Sequence, residues 1–181
     1  MSVAVGVMGS AGDVAGVSNK EALAEKANAL ALAIAERKLL LLTGATTGIV
    51  YVVGKAAHDA GSFHVGFSPA SNSGEHVEKY KLPLDACDLI VYTGFGLKGR
   101  NVVLVRSCEV VLFIAGAMGS LNEFTIAHDE GKVIGCLTGT GGVADEVDYL
   151  LRKFSQNTGA RIFQSDDPKV LLDACLEGIK T

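Results

Sequence analysis

The chain has no tryptophan, three prolines, and no apolar run approaching the ~18–20 residues of a membrane span. Its longest apolar runs, such as Val102–Val105 and Val110–Ile114, are interrupted by Arg106, Ser107 and Glu109, which argues against membrane insertion. The opening MSVAVGVMG lacks the charged start and small-residue cleavage site of a signal peptide, so a cytoplasmic location is expected. Basic residues form no stripe, and a net charge of −4 with a pI near 5.5 removes the electrostatic basis for holding a nucleic-acid backbone. Cys87, Cys108, Cys136 and Cys175 contain no CxxC pair, which points to reduced, buried thiols and not to disulfides or zinc. His58, His64, His76 and His128 have no HExxH-like spacing, so neither a metal nor a resident cofactor is expected. GxGxxG and GxxxxGK[ST] are also missing, which disfavours ordinary dinucleotide and P-loop sites.

What is present is apolar and glycine-rich. Hydrophobic residues make up 49% of the 181 positions and the mean hydropathy is +0.34. A sheet buried on both faces, together with an apolar subunit interface, accounts for that excess, so a homodimer or higher homo-oligomer is expected. The length fits one domain, residues 1–181.

Short β-rich runs alternate with segments of helical period. The pattern predicts strands at Val3–Met8, Leu39–Leu42, His64–Ser68, Leu89–Tyr92, Val110–Ile114, Val133–Leu137 and Arg161–Gln164. Between them it predicts helices from a Ser18–Glu21 capping box to about Arg37, and at Ile49–Ala60, Arg100–Cys108, Ser120–Glu130 and Ala144–Asn157, with a last one from Pro168. The polar stretch Ser71–Tyr80 reads as a flexible loop. Near-continuous apolar strands alternating with helices give an α/β fold, a doubly wound, Rossmann-like parallel sheet.

Three strand-to-helix turns are rich in small residues: GSAG (Gly9–Gly12), TGATTG (Thr43–Gly48) and GAMGS (Gly116–Ser120). In such a sheet they share the carboxyl edge, where glycine permits close backbone approach and helix starts offer free N–H groups to an anion. One glycine turn alone is an ordinary connection; three together favour a small anionic ligand. Glu123 stands at capping-box distance from Ser120, so it either folds back on its helix start or faces whatever the Gly116–Ser120 loop holds. Arg100, in TGFGLKGRN, belongs to the same edge and suits a phosphate clamp. His128-Asp129-Glu130 reads as a solvated patch, and Cys108 and Cys136 as core.

These residues carry a resemblance. AGAMGSLNE resembles the PGGxGTxxE hallmark of the LOG-type Rossmann family, long mislabelled as lysine decarboxylases, which includes cytokinin-activating phosphoribohydrolases and molybdenum-cofactor carrier proteins. Gly116 and Gly119 match its glycines, Ser120 its threonine and Glu123 its glutamate; Arg100 stands at the spacing of its arginine. Gly9-Ser10, Gly44 and Gly48 match the earlier glycine turns, and the similarity reaches about Leu137. The resemblance implies a nucleotide or phosphate site at Gly9, Ser10, Gly44, Gly48, Gly116, Ala117, Gly119 and Ser120, with Arg100 and Glu123 as catalytic candidates. The small-molecule partner would be a nucleotide or a phosphorylated cofactor. The implied reaction is hydrolysis of the N-glycosidic bond of a nucleoside 5′-monophosphate, and the alternative is a carrier such as one for molybdenum cofactor. Lysine decarboxylation is not expected. Ala115 replaces the hallmark proline, and Ala117 and Ala45 replace glycines. If those positions need φ > 0, each alanine costs about 1 kcal/mol or more. A pocket that has decayed to a structural remnant is the third reading.

Overall fold

The computed structural model describes residues 2–12, 19–154 and 156–180. Seven parallel strands form one sheet in the order β4-β3-β2-β1-β5-β6-β7. They are β1 (Ala4–Gly9), β2 (Leu40–Thr43), β3 (His64–Ser68), β4 (Leu89–Tyr92), β5 (Val110–Ile114), β6 (Val133–Leu137) and β7 (Arg161–Ser165). The central β5 (VVLFI) and β6 (VIGCL) are buried at every position, because helices cover both faces. The edge strand β4 alternates between exposed and half-buried residues.

Among the described residues six α-helices cover the sheet: α1 (Lys20–Glu36), α2 (Gly48–Asp59), α3 (Gly96–Arg106), α4 (Met118–Asp129), α5 (Val147–Phe154) and α6 (Pro168–Gly178). Alternate strand residues divide the core. Val5, Val7, Leu112 and Ile114 pack under α1, α2 and α6, whereas Met8, Val111, Phe113 and Ile134 pack under α3, α4 and α5. The chain winds outward from β1 to β4, then returns across the sheet through α3 to place β5 on the other side of β1. The winding therefore reverses between β1 and β5, the position where open sheets of this kind leave a crevice at their carboxyl edge.

Several elements depart from the sequence expectation. Helix α3 begins at Gly96 and not Arg100, so Arg100 lies in its second turn. Helix α4 begins at Met118, two residues before Ser120. Asn19 caps α1, accepting from the Ala22 amide at 3.0 Å; the expected cap, Ser18, lies outside the described residues. The expected loop Ser71–Tyr80 contains a π-helical turn, Glu75–Lys79, with His76 fully buried. The expected helix from Ala144 divides into a 3-10 turn, Gly142–Asp145, followed by α5.

Candidate functional site

A cavity of about 200 Å³ opens at the reversal between β1 and β5. The end of β1 supplies Gly9 and Ser10, and the turn after β2 supplies Gly44. Helix α3 contributes Lys98, Arg100 and Asn101 from one side; the start of α4 contributes Ala117, Gly119, Ser120 and Glu123 from the other.

The start of α4 is built unusually. Ala115 and Gly116 both have positive φ, 54° and 111°, before the chain turns into the helix at Ala117 (φ −121°, ψ −157°). No side chain caps this helix, so its first amides have no side-chain acceptor. Ser120, 2% exposed, has a buried hydroxyl with no hydrogen-bond partner. Such a group costs ~1–3 kcal/mol when left unbonded. Free amides, a helix dipole and an unbonded hydroxyl lining one cavity form an acceptor-seeking surface suited to an anion. The capping-box reading of Ser120 and Glu123 is overturned, because Ser120 is the third residue of the helix and Glu123 lies in its second turn.

Arg100 is 6% exposed, and its Nη1 donates to the Phe67 carbonyl at 3.3 Å. A Cβ at Gly44 would collide with the guanidinium, so this glycine is needed to make room for Arg100. Burial lowers the Arg100 pKa, while the charge of Glu123 opposes that shift. Burial pushes the Glu123 carboxyl up to about 7, against the pull of Arg100 and then Lys98. Arg100 and Glu123 thus attract across the cavity wall with no hydrogen bond between them. The Asn101 amide, oriented to satisfy its neighbours, donates to Glu123 Oε1 at 3.1 Å and to the Leu97 carbonyl at 3.0 Å. Lys98 is exposed on the first turn of α3, and its Nζ approaches Gly119 closely enough that a Cβ there would lie 3.5 Å away.

Of the ten residues singled out in the sequence, the structure brings eight to this cavity: Gly9, Ser10, Gly44, Arg100, Ala117, Gly119, Ser120 and Glu123. Gly48 and Gly116 lie behind it. At Gly48 (φ 73°) a Cβ would strike the Ser10 carbonyl, and at Gly116 it would come within 2.8 Å of Ser120 Cβ. Both glycines shape the walls without lining them. Lys98 and Asn101 went unnoticed in the sequence, although both belong to the quoted TGFGLKGRN; the misplaced start of α3 concealed them.

The altered positions now separate. Ala117 has negative φ, so its methyl group brings no backbone strain. Ala45 (φ 48°) is in the left-handed region and carries the strain anticipated for a lost glycine. At Ala115 (φ 54°) a proline, locked near φ ≈ −65°, could not take this backbone path. The loop therefore follows its own course and is not the hallmark loop with methyl groups added.

Other features lie apart from the cavity. Cys108, Cys136 and Cys175 are buried free thiols, with burial raising the pKa of Cys108 and Cys175 to about 12. Among the described residues no cluster of three His, Cys, Asp or Glu could hold a metal, and no helix is long and apolar enough to cross a membrane. His128 contacts Phe124 and the Thr158 hydroxyl beside a separate groove between α4 and α5.

Known proteins share this arrangement of elements. The structural-genomics protein TM1055 superposes with a TM-score of 0.81 at 25% identity, covering 97% of this chain and 99% of that one. The molybdenum cofactor carrier protein of Chlamydomonas reinhardtii superposes with a TM-score of 0.77 at 22% identity over the full length of both chains, a likeness of fold. An uncharacterised protein of Archaeoglobus fulgidus is 30% identical over 104 residues, 58% of this chain, so the match spans 63% of that relative's length. Residues 2–172, which include every strand of the sheet, match the SLOG cluster4 family, and the chain belongs to that LOG-like, Rossmann-type family.

Proposed function

We propose that this chain binds a phosphorylated small molecule, a nucleotide or a phosphorylated cofactor, with the phosphate seated at the start of α4. The observation that carries this reading is the buried, unpartnered Ser120 hydroxyl beside the uncapped amides of the helix. A phosphate oxygen would accept from that hydroxyl and those amides, while Lys98 supplies mobile positive charge at the rim. Arg100 faces the same cavity from a cradle closed by Gly44, a placement suited to orienting the remainder of the ligand.

Binding without bond cleavage is the better-supported form of this function. A carboxylate that stabilises developing oxocarbenium charge must be ionised, whereas burial keeps the Glu123 proton on until about pH 7. A phosphate dianion in the same cavity would retain that proton further. The fold likeness to a molybdenum cofactor carrier supports the carrier form. Hydrolysis of a nucleoside 5′-monophosphate is the second reading, favoured by Arg100 and Glu123 lining one cavity. The homodimer and the cytoplasmic location expected from the sequence belong to the same proposal, and sedimentation would read the first.

Thermal denaturation with nucleoside monophosphates, ribose 5-phosphate, inorganic phosphate and the matching nucleosides tests the reading. Phosphorylated compounds should stabilise the chain, by about 2.7 kcal/mol at 100 times Kd, and nucleosides should not. Equal effects from both sets, or none from either, would refute it. Release of ribose 5-phosphate by wild type and not by Glu123→Gln would move the assignment to a phosphoribohydrolase.

A further inference from the structure

The strained loop before α4 is held by the glycine-rich segment that follows β6, TGTGG (Thr138–Gly142) and the residues after it. Residues 138–145, after β6, lie against it and bond it at three points. The Thr140 hydroxyl accepts from the Ala115 amide at 2.8 Å and donates to the Leu137 carbonyl at 2.6 Å. The Val143 amide donates to the Gly116 carbonyl and the Ala144 amide to the Ala115 carbonyl, each at 3.0 Å. The segment is itself tied down, since the Asp145 carboxylate accepts from the Gly139 and Gly141 amides at 2.7 and 2.8 Å. Gly142 (φ 58°) lies so close that a Cβ would strike the Gly116 carbonyl. Lys26 of α1 anchors the near end through the Thr138 carbonyl at 2.8 Å.

Left-handed Ala115 would relax to negative φ if released, and that change would swing the start of α4 away from the cavity. Thr140 is 2% exposed and bonds both the loop and the end of β6, so one buried side chain fixes the loop to the sheet. We infer that Thr140, supported by Asp145, is a positioning residue that holds the Ala115–Ala117 backbone in the path that aims the first amides of α4 into the cavity. This rests on the proposed phosphate site. It explains how the loop keeps its geometry with a left-handed alanine at position 115.

The test compares wild type, Thr140→Val, Thr140→Ser and Asp145→Asn by amide hydrogen exchange without ligand and by calorimetric titration with inorganic phosphate. Thr140→Val should speed exchange of the hydrogen-bonded amides of Ala115, Val143 and Ala144 by roughly ten-fold relative to β1 and β2, and weaken phosphate binding by a similar factor. Thr140→Ser, which keeps the hydroxyl, should restore both. Asp145→Asn, on the surface, should show a smaller change in the same direction and serves if the valine variant does not fold. Unchanged exchange at those three amides, or acceleration spread equally over the sheet, would overturn the inference. Local acceleration in a protein whose wild type ignores phosphate would uphold the latch and refute the phosphate reading instead.

Discussion

Two groups of buried polar side chains pack around this sheet, and they differ in whether their hydrogen bonds are complete. Under β2 and β3, His64 takes a hydrogen bond from the Thr43 hydroxyl at 2.8 Å and donates to the Ala86 carbonyl; the same hydroxyl accepts from the Ala45 amide at 3.2 Å. His76 repeats the scheme, accepting from Ser68 at 2.8 Å and donating to the Pro83 carbonyl at 3.0 Å, with Ser68 accepting from the Ala70 amide. Every ring nitrogen and both hydroxyls are used. At the start of α4 the Ser120 hydroxyl bonds to nothing, and Arg100 and Glu123 attract without touching. A finished polar network rigidifies a core, whereas an unfinished one on a cavity wall is shaped for something absent. A buried histidine invites a catalytic reading, yet here the histidines are structural and the serine belongs to the proposed site.

Opposed pH dependences give the largest expected difference. Glu123 has its pKa raised from 4.5 to about 7, so its contribution to stability is fully present below pH 4.5 and is lost as pH rises through 7. His64 is held neutral by burial, its pKa lowered from 6.5 to about 4, so its contribution is present above pH 6.5 and lost as pH falls through 4. Each shift corresponds to about 3 kcal/mol, and between pH 4.5 and 6.5 the two slopes oppose each other. Glu123→Gln should therefore expose the His64 slope. In urea titrations its stability relative to wild type should rise by about 3 kcal/mol between pH 4.5 and 7.5. A constant difference across that range would break the assignment of Glu123 as a buried titrating carboxyl.

The next effect compares two hydroxyl deletions. Thr43→Val should cost ~1–3 kcal/mol, because it strands both His64 Nε2 and the Ala45 amide. Ser120→Ala removes a buried hydroxyl that bonds nothing, so it should not destabilise the protein and should gain up to ~1–3 kcal/mol. Phosphate binding should nonetheless weaken about ten-fold in Ser120→Ala, close to 1.4 kcal/mol. Equal destabilisation by the two substitutions would remove the distinction between a finished and an unfinished network.

The smallest effect concerns the hallmark position. Ala117→Gly relieves no strain at φ −121° and adds freedom to the unfolded chain, so it should destabilise by ~0.5–1 kcal/mol without improving phosphate affinity. Tighter binding in that variant would show that the methyl group obstructs the site.

The same contrast explains what was legible in the sequence. The α/β sheet could be read because strands buried on both faces, such as VVLFI and VIGCL, are continuous apolar runs. Glycine turns located the carboxyl edge, and six of the eight residues chosen from them meet Arg100 and Glu123 at one cavity. The starts of α3 and α4 were misread because Phe95 and Ala117 occupy their cap positions without a capping side chain. With no Ser, Thr, Asp or Asn to mark the true start, Ser120 was mistaken for a cap and Lys98 was missed. Left-handed Ala115 gives no local signal either, since tertiary hydrogen bonds from residues 140–144 impose its conformation. The missing cap that obscured the start of α4 also leaves its first amides free for a ligand.

The most direct test is the movement of backbone amide resonances in the 15N-labelled protein as AMP or inorganic phosphate is added. The account predicts that the largest shifts fall on the amides of Met118, Gly119 and Ser120 and that Ser120→Ala needs about ten-fold more ligand to reach them. Shifts absent there, or centred instead on the groove between α4 and α5 near His128 and Leu151, would contradict it.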